Sequence, residues 1–133
     1  MFRINTIAPF ALTRACLPLL KASPDASVIF TSETHALQPK AYWGGFCLSK
    51  AAMMGVSRIF ADEWDNCPNM RFNTIIPQPV LSPFRSKTHP AEAREMLVPI
   101  ADILPTYLYL LSGASQGISG QIFDARQGEA LLV

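Results

Sequence analysis

The chain has 133 residues, a length typical of a single domain, and half of them are apolar while 16% are charged. This composition supports a buried core and argues against a disordered chain. The formal net charge is +1 and no basic run occurs, so nothing in the charge pattern predicts a nucleic-acid partner. No stretch of about eighteen uncharged apolar residues occurs, so no membrane span is predicted.

The cysteines and histidines are few and scattered along the chain. Cys16, Cys47 and Cys67 form no CxxC pair, and His35 and His89 are far apart in the sequence. An odd number of isolated cysteines predicts neither a disulfide framework nor a metal site. Free thiols are typical of a reducing compartment, so we expect a cytoplasmic protein.

The first two predicted elements are a helix and a buried strand. Apolar side chains recur at helical spacing across residues 1–22, although Pro9 and Pro18 favour an interrupted helix. Residues 27–32 (SVIFTS) form a short β-branched run, which is typical of a strand buried in a parallel sheet. A polar loop over residues 33–42 follows.

Helices and strands alternate through the rest of the chain. The sequence predicts a helix over residues 43–65, a strand over 71–76, a short helix near 90–97, a helix over 99–112 and a strand over 121–124. Such alternation favours a parallel sheet with right-handed crossovers and helices on its faces. We therefore predict an α/β fold of about three parallel strands, with any ligand at their carboxyl ends.

A lysine follows an aromatic residue by four positions on the second predicted helix. This spacing places Phe46 and Lys50 on one helix face. A tyrosine in place of the phenylalanine would put a phenol within the field of an ammonium group, where it can act as an acid or base at neutral pH. Phenylalanine has no proton to transfer. The pair is therefore either a catalytic site without its key atom or an apolar helix that carries a lysine.

Five segments in order resemble the second half of the short-chain dehydrogenase/reductase family. They are FRINTIAPFALTRACLPLLK, VIFTSET, GGFCLSKAAMMG, RFNTIIPQPVLSPF and SGQIFDARQGE. The resemblance implies a partial Rossmann-like, doubly wound parallel sheet in a single incomplete domain over residues 1–133. It also implies carbonyl/alcohol redox chemistry with NAD or NADP as cofactor. The sequence contains no GxxxGxG or GxGxxG motif for a pyrophosphate, so we expect this chain to bind the cofactor poorly, if at all.

The resemblance assigns catalytic positions residue by residue. Asn5 matches the asparagine that supports a proton-relay water, and Lys50 matches the lysine that lowers the tyrosine pKa and binds the nicotinamide ribose. Phe46 stands at the tyrosine position. Counting back from Phe46 by the family's usual spacing reaches Glu33, with Ser32 beside it. The catalytic serine is therefore either replaced by a carboxylate or displaced by one residue.

The resemblance also implies a cofactor-binding turn after the second predicted strand. The family's Pro-Gly turn packs against the nicotinamide, and here it reads Pro77-Gln78, followed by Val80 and Ser82. Gln78 has less backbone freedom than the glycine it replaces. Ser82 offers a hydroxyl at the position of the family's threonine.

Three further side chains near this site have open or modest roles. A buried Glu33 is a possible replacement base, but we expect it either to point to solvent or to pair with Lys50. Tyr42, at the entrance of the second helix, is expected to pack. His35 is expected to be a solvated loop residue.

Three hypotheses for function follow. The first is a truncated oxidoreductase with impaired catalysis, either from a shortened gene or from a gene model begun at an internal methionine. The second is an active reductase whose missing nucleotide-binding half is supplied by another chain or is missing through misannotation. The third is a non-enzymatic fragment that pairs through helices, with residues 1–22 and 43–65 forming a homo-oligomer. Residues 82–97, where the family reads its substrate, contain nothing diagnostic.

Overall fold

A computed structural model describes residues 1–131, and within them seven regular elements build the fold. A π-helical turn (Arg3–Ile7) leads into the first α-helix. The elements in chain order are α1 (Ala8–Ala22), β1 (Ala26–Thr31), α2 (Gly44–Glu63), β2 (Met70–Ile76), α3 (Pro83–Thr88), α4 (Ile100–Leu111) and β3 (Ile122–Asp124). Short 3₁₀ turns lie at Thr34–Ala36, Arg94–Met96 and Gly113–Ser115.

The three strands form one parallel sheet in the order β1-β2-β3. Ala26 of β1 pairs with Met70 of β2, and Thr74 of β2 pairs with Ile122 of β3. Every residue of β2 is buried, as expected for a central strand covered on both faces. The predicted α/β fold with three parallel strands is confirmed.

Helices cover both faces of the sheet, and apolar side chains pack between helix and sheet on each face. On the α1 and α2 face, the rings of Phe60 and Phe72 are 5.4 Å apart and Phe30 packs beside them. On the α4 face, Ile103 and Leu110 pack against residues of β2 and β3. This two-sided burial fixes the strands, so their carboxyl ends form a stable platform for the loops that follow.

One predicted element is misplaced. The short helix expected near 90–97 lies earlier, as α3, and only a 3₁₀ turn occupies Arg94–Met96. The physical reason is local, because the Ser82 hydroxyl accepts the Arg85 N–H and caps a helix whose first residue is Pro83. Elsewhere the predicted boundaries agree to within two residues, and Pro18 is accommodated inside α1. No helix among residues 1–131 is long and apolar enough to cross a membrane.

Candidate active site

The candidate site lies where the carboxyl ends of β1 and β2 meet the first turns of α2. Lys50 joins two of these elements, because its Nζ donates to the Thr31 carbonyl oxygen at the end of β1 (2.9 Å). Ser32 reinforces the same junction, since its buried hydroxyl donates to the Lys50 carbonyl oxygen at 3.0 Å. The Ser32 hydroxyl therefore donates its hydrogen bond to the backbone of α2.

Lys50 is partly buried, and its surroundings alter its titration. Burial lowers the pKa of Lys50 below its ordinary value, because the charged ammonium loses hydration. The negative charge of Glu33 opposes this shift in part. The ammonium is thus held in the field of a carboxylate where the resemblance implies a neutral serine.

Glu33 lies at the cleft and is bound by its own loop. Its Oε1 accepts the backbone N–H of His35 at 3.0 Å and the hydroxyl of Thr34 at 3.3 Å, and it also accepts Nδ1 of the His35 ring. Burial alone would raise the pKa of Glu33, but the hydrogen bonds from His35 and Thr34 and the charge of His35 outweigh it and lower that pKa. Glu33 is consequently ionised at neutral pH.

Two expectations for this loop are wrong. Glu33 neither points freely to solvent nor forms an ion pair with Lys50, because its hydrogen-bond partner is His35. His35 is not solvated either, since its side chain is only 18% exposed. The short 3₁₀ turn Thr34–Ala36 folds the histidine back over the carboxylate, which the polar loop composition did not predict.

The Trp43 ring lies nearly parallel to two histidine rings. The Trp43 ring lies 4.1 Å from the His35 ring with an interplanar angle of 9°, and 6.1 Å from the His89 ring with an angle of 18°. The Phe46 ring is tilted against Trp43 at 5.8 Å. Because His89 directly follows α3, the stack connects the loop after β1, the start of α2 and the segment after α3.

Trp43, Phe46 and His89 border an apolar cleft of about 530 Å³. Phe46 lines it, so the position implied for the catalytic tyrosine faces the cleft with an unreactive ring. Tyr42 was expected to pack, but its side chain is fully exposed at the rim and its backbone adopts a left-handed φ of 71°. The remaining apolar lining includes Trp43, Pro77, Pro79, Val80 and Phe84.

Glu33, and not Ser32, presents its side chain to this cleft. A second charged residue, Arg85, also lines it, and its Nε and Nη2 donate to the two carboxylate oxygens of Glu92 at 2.6 and 2.8 Å. The hydrogen bond between them raises the pKa of Arg85 and lowers that of Glu92. Such a bidentate pair keeps both groups charged and directed at each other.

The turn after β2 keeps the backbone shape that a glycine would give. Gln78 adopts a φ of 61°, and its Nε2 donates to Oδ2 of Asp124 at 2.5 Å. This hydrogen bond connects the carboxyl ends of β2 and β3. Val80 forms an isolated parallel bridge with Val98, and the Ser82 hydroxyl is used to cap α3.

Asn5 approaches the site from the π-helical turn that precedes α1. Its Nδ2 donates to the Ser49 hydroxyl at 3.1 Å, and this hydroxyl donates to the Phe46 carbonyl oxygen at 2.8 Å. The structure thus brings Asn5, Glu33, Phe46 and Lys50 around the first turns of α2. Ser49, which sequence reasoning missed, is the buried group that connects Asn5 to this helix.

The resemblance assigns residues of this chain to one end of a nicotinamide dinucleotide only. It assigns contacts with the nicotinamide and its ribose to Lys50 and to the turn over residues 77–82. Within residues 1–131, no strand is followed by a glycine-rich turn at a helix N-terminus, which is the usual pyrophosphate site. The same residues contain no cluster of three or more potential metal ligands.

Comparisons with known proteins identify the family. A family model described as enoyl-(acyl carrier protein) reductase matches residues 1–128. The uncharacterized oxidoreductase YciK of Escherichia coli K12 is 37% identical over 128 residues, which cover 96% of this chain and 50% of YciK. The structure of a short chain dehydrogenase from Salmonella enterica serovar Typhi superposes with a TM-score of 0.87 at 38% identity, covering 94% of this chain and 51% of that one.

A short chain dehydrogenase from Escherichia coli CFT073, solved in complex with NADPH, superposes with a TM-score of 0.84 at 38% identity over 94% of this chain and 51% of that one. The chain therefore spans about half the length of the proteins it matches. The ordered motifs, the parallel sheet and these matches agree with one another. The chain belongs to the short-chain dehydrogenase/reductase family.

Proposed function

We propose that this chain provides the catalytic-residue portion of an NAD(P)-dependent short-chain oxidoreductase fold in which proton transfer by a tyrosine is lost. The observation that carries the proposal is Phe46. Its ring faces the cleft one helical turn before Lys50, at the position where the family places its acid/base. In this proposal, residues 1–133 are one domain that is incomplete without a nucleotide-binding portion.

The bound cofactor would supply hydride, and the chain's own residues would hold and orient its nicotinamide end. In this proposal Lys50 binds the ribose, and the turn that contains Pro77, Gln78 and Val80 packs against the ring. NADPH in a solved relative supports the choice of cofactor class. Glu33 does not replace the phenol as a proton donor, since it carries a negative charge that opposes charge developing on a substrate oxygen.

Two departures lower the expected rate. Loss of a general acid/base typically costs a factor of about 10² to 10⁴. Loss of a hydrogen-bond donor at the developing oxyanion costs about 10² to 10³. Glu33 replaces such a donor with an acceptor, so both changes act in the same direction.

A chimera tests this proposal. The nucleotide-binding half of YciK would be joined to this chain in three forms: unchanged, Phe46→Tyr, and Phe46→Tyr with Glu33→Ser. We expect all three to bind NADPH, measured by nucleotide fluorescence, and the double variant to reduce uncharged ketones at least about 100-fold faster than the unchanged form. Lys50→Met in the double variant is the control and is expected to abolish the gain. Turnover by the unchanged chimera within tenfold of the double variant would refute the proposed loss.

We also infer that α1 and α2 pair two copies of the chain. Their outer faces expose apolar side chains, among them Leu12 and Leu19 on α1 and Leu48 and Ile59 on α2. A small residue, Gly55, lies between the last two, and a Cβ added there would meet no neighbouring atom. Because the chain belongs to an oxidoreductase family, we propose this pairing as assembly of two copies and not as an alternative function.

A further inference from the structure

An ionised carboxylate lines a largely apolar cleft and keeps one of its oxygens free. The Glu33 side chain borders the cleft and is 19% exposed. Its Oε1 accepts hydrogen bonds from the Thr34 hydroxyl and from the backbone N–H and ring Nδ1 of His35. No donor among residues 1–131 lies within hydrogen-bond distance of Oε2. Each carboxylate oxygen accepts about two hydrogen bonds, so Oε2 is available to a donor that enters the cleft.

The basic side chains around Glu33 make their contacts elsewhere. Arg85 donates through Nε and Nη2 to the two carboxylate oxygens of Glu92 at 2.6 and 2.8 Å. The Lys50 Nζ donates to a backbone carbonyl oxygen at 2.9 Å and forms no ion pair with Glu33. The contact of His35 with Oε1 needs only a ring N–H, which a neutral imidazole also carries. Within residues 1–131, therefore, no cation contacts Oε2.

The rest of the lining suits the apolar body of a ligand. Phe46 and Val80 border the cleft together with Phe84, whose side chain is 75% exposed. Covering such surface with an apolar group is favourable. A carboxylate beside apolar walls attracts a cation more strongly than it does in water, because the local dielectric is lower. An anion in the same place loses its hydration and meets a like charge.

We propose that Glu33 makes this cleft a site for an organic cation, in which a protonated amine donates to Oε2 and an apolar body packs against the aromatic lining. The volume of about 530 Å³ is within the range of small-molecule sites. The inference rests on the proposed function in taking this cleft as the substrate site, and it names a substrate class that carries an ammonium group. Binding needs neither cofactor nor catalysis, so it is tested on the 133-residue chain alone.

The two tryptophans provide the readout. Trp43 lines the cleft, whereas Trp64 follows the last residue of α2 and packs in the apolar cluster between that helix and the sheet. Their indole N–H signals would be followed by NMR and assigned with Trp43→Phe. The ligands share one apolar body and differ in charge: 3-phenylpropylammonium, 3-phenylpropan-1-ol and 3-phenylpropanoate.

We expect the ammonium to shift the Trp43 signal with saturation and to leave the Trp64 signal unmoved. It should bind at least about tenfold tighter than the alcohol, because a hydrogen bond between two charged groups is stronger than one to a hydroxyl. The carboxylate should bind more weakly than the alcohol. Raising the salt concentration from about 20 to about 500 mM should weaken ammonium binding at least about threefold and leave alcohol binding nearly unchanged.

A charge-removal variant tests the role of Glu33. Glu33→Gln keeps an amide of nearly the same shape but removes the negative charge, so the affinity for the ammonium should fall to within about twofold of that for the alcohol. Glu95→Gln is the matched control, because Glu95 is an exposed glutamate that does not line the cleft, and it should keep the full preference. Equal affinity of the wild type for ammonium and alcohol, an unmoved Trp43 signal, or an undiminished preference in Glu33→Gln would each overturn the inference. The ligand and salt series in the wild type decide the question even if Glu33→Gln does not fold.

The outcome is separable from that of the proposed function. A preference for the ammonium in this chain, together with full activity of the unchanged chimera, would refute the loss of tyrosine chemistry and support the ligand inference. Equal binding of ammonium and alcohol, together with a chimera repaired by Phe46→Tyr and Glu33→Ser, would do the opposite.

Discussion

The left-handed backbone at Gln78 makes a sharp stability prediction. A φ of 61° costs a residue with a Cβ roughly 1–2 kcal/mol relative to glycine. The side chain offsets this cost, since its hydrogen bond to the Asp124 carboxylate is worth about 1.5 kcal/mol, the low end for a charged acceptor at a half-buried site. Gln78→Ala keeps the backbone cost and loses the hydrogen bond, so we expect it to destabilise the fold by about 1.5 kcal/mol.

Gln78→Gly loses the same hydrogen bond but also removes the backbone cost. Glycine has a greater unfolded-state entropy, which costs roughly 0.5–1 kcal/mol. The glycine variant should therefore be more stable than the alanine variant by about 0.5–1 kcal/mol. Urea unfolding followed by far-ultraviolet circular dichroism measures this difference.

The matched control is Gln116, an exposed loop residue with a φ of −57°. At this φ a side chain carries no backbone cost that glycine could remove, so Gln116→Gly should be less stable than Gln116→Ala. The order of the glycine and alanine variants is therefore the reverse of that expected at position 78. If glycine were also the less stable variant at position 78, the turn would not be left-handed in solution, and its resemblance to a glycine turn would fail.

Two further outcomes are expected. The folded state lowers the pKa of Glu33 below its usual value of 4.5, so its contribution to stability is present above that range and is lost as pH falls through the lowered value. Between about pH 5 and pH 3, the free energy of unfolding of Glu33→Gln, measured by urea titration, should therefore fall less than that of the wild type. The free energy of unfolding of His35→Phe should fall by an intermediate amount. An equal fall in all three proteins would contradict this. Leu12→Asp on α1 should convert a dimer to a monomer in analytical ultracentrifugation, while Leu108→Asp on α4, also an exposed leucine, should not; dissociation by both would place the interface elsewhere.

The order of the regular elements was readable from the sequence because each has a strong local signal. The β-branched run before Ser32 predicted β1, and the long apolar helix that carries Lys50 was predicted to within two residues at each end. The missed helix α3 also had a signal, since Ser82 and Pro83 form an N-cap followed by a proline at the first helical position.

Other features of the site had no local signal. The stack of His35, Trp43 and His89 joins three segments that are brought together only by the packed fold. The left-handed turn at Gln78 depends on a hydrogen bond to a residue 46 positions away. A sequence pattern reports only the periodicity and propensity of neighbouring residues. Contacts between segments that are distant in sequence depend on the packed fold, so the pattern does not predict them.

The two departures from the family pattern are chemically coupled. A tyrosine at position 46 would rely on the Lys50 ammonium to lower its pKa, but Glu33 places a negative charge in the field of that same ammonium. A carboxylate there stabilises the lysine charge and disfavours a phenolate. It would therefore raise the pKa of a tyrosine at position 46, whereas catalysis needs that pKa to be lowered. In the proposed function, a phenol at position 46 would therefore gain less from Lys50 while Glu33 is present, so the effects of the two departures are not independent. This is why Phe46→Tyr alone should recover only a small part of the rate, with most of the gain appearing when Glu33→Ser is added.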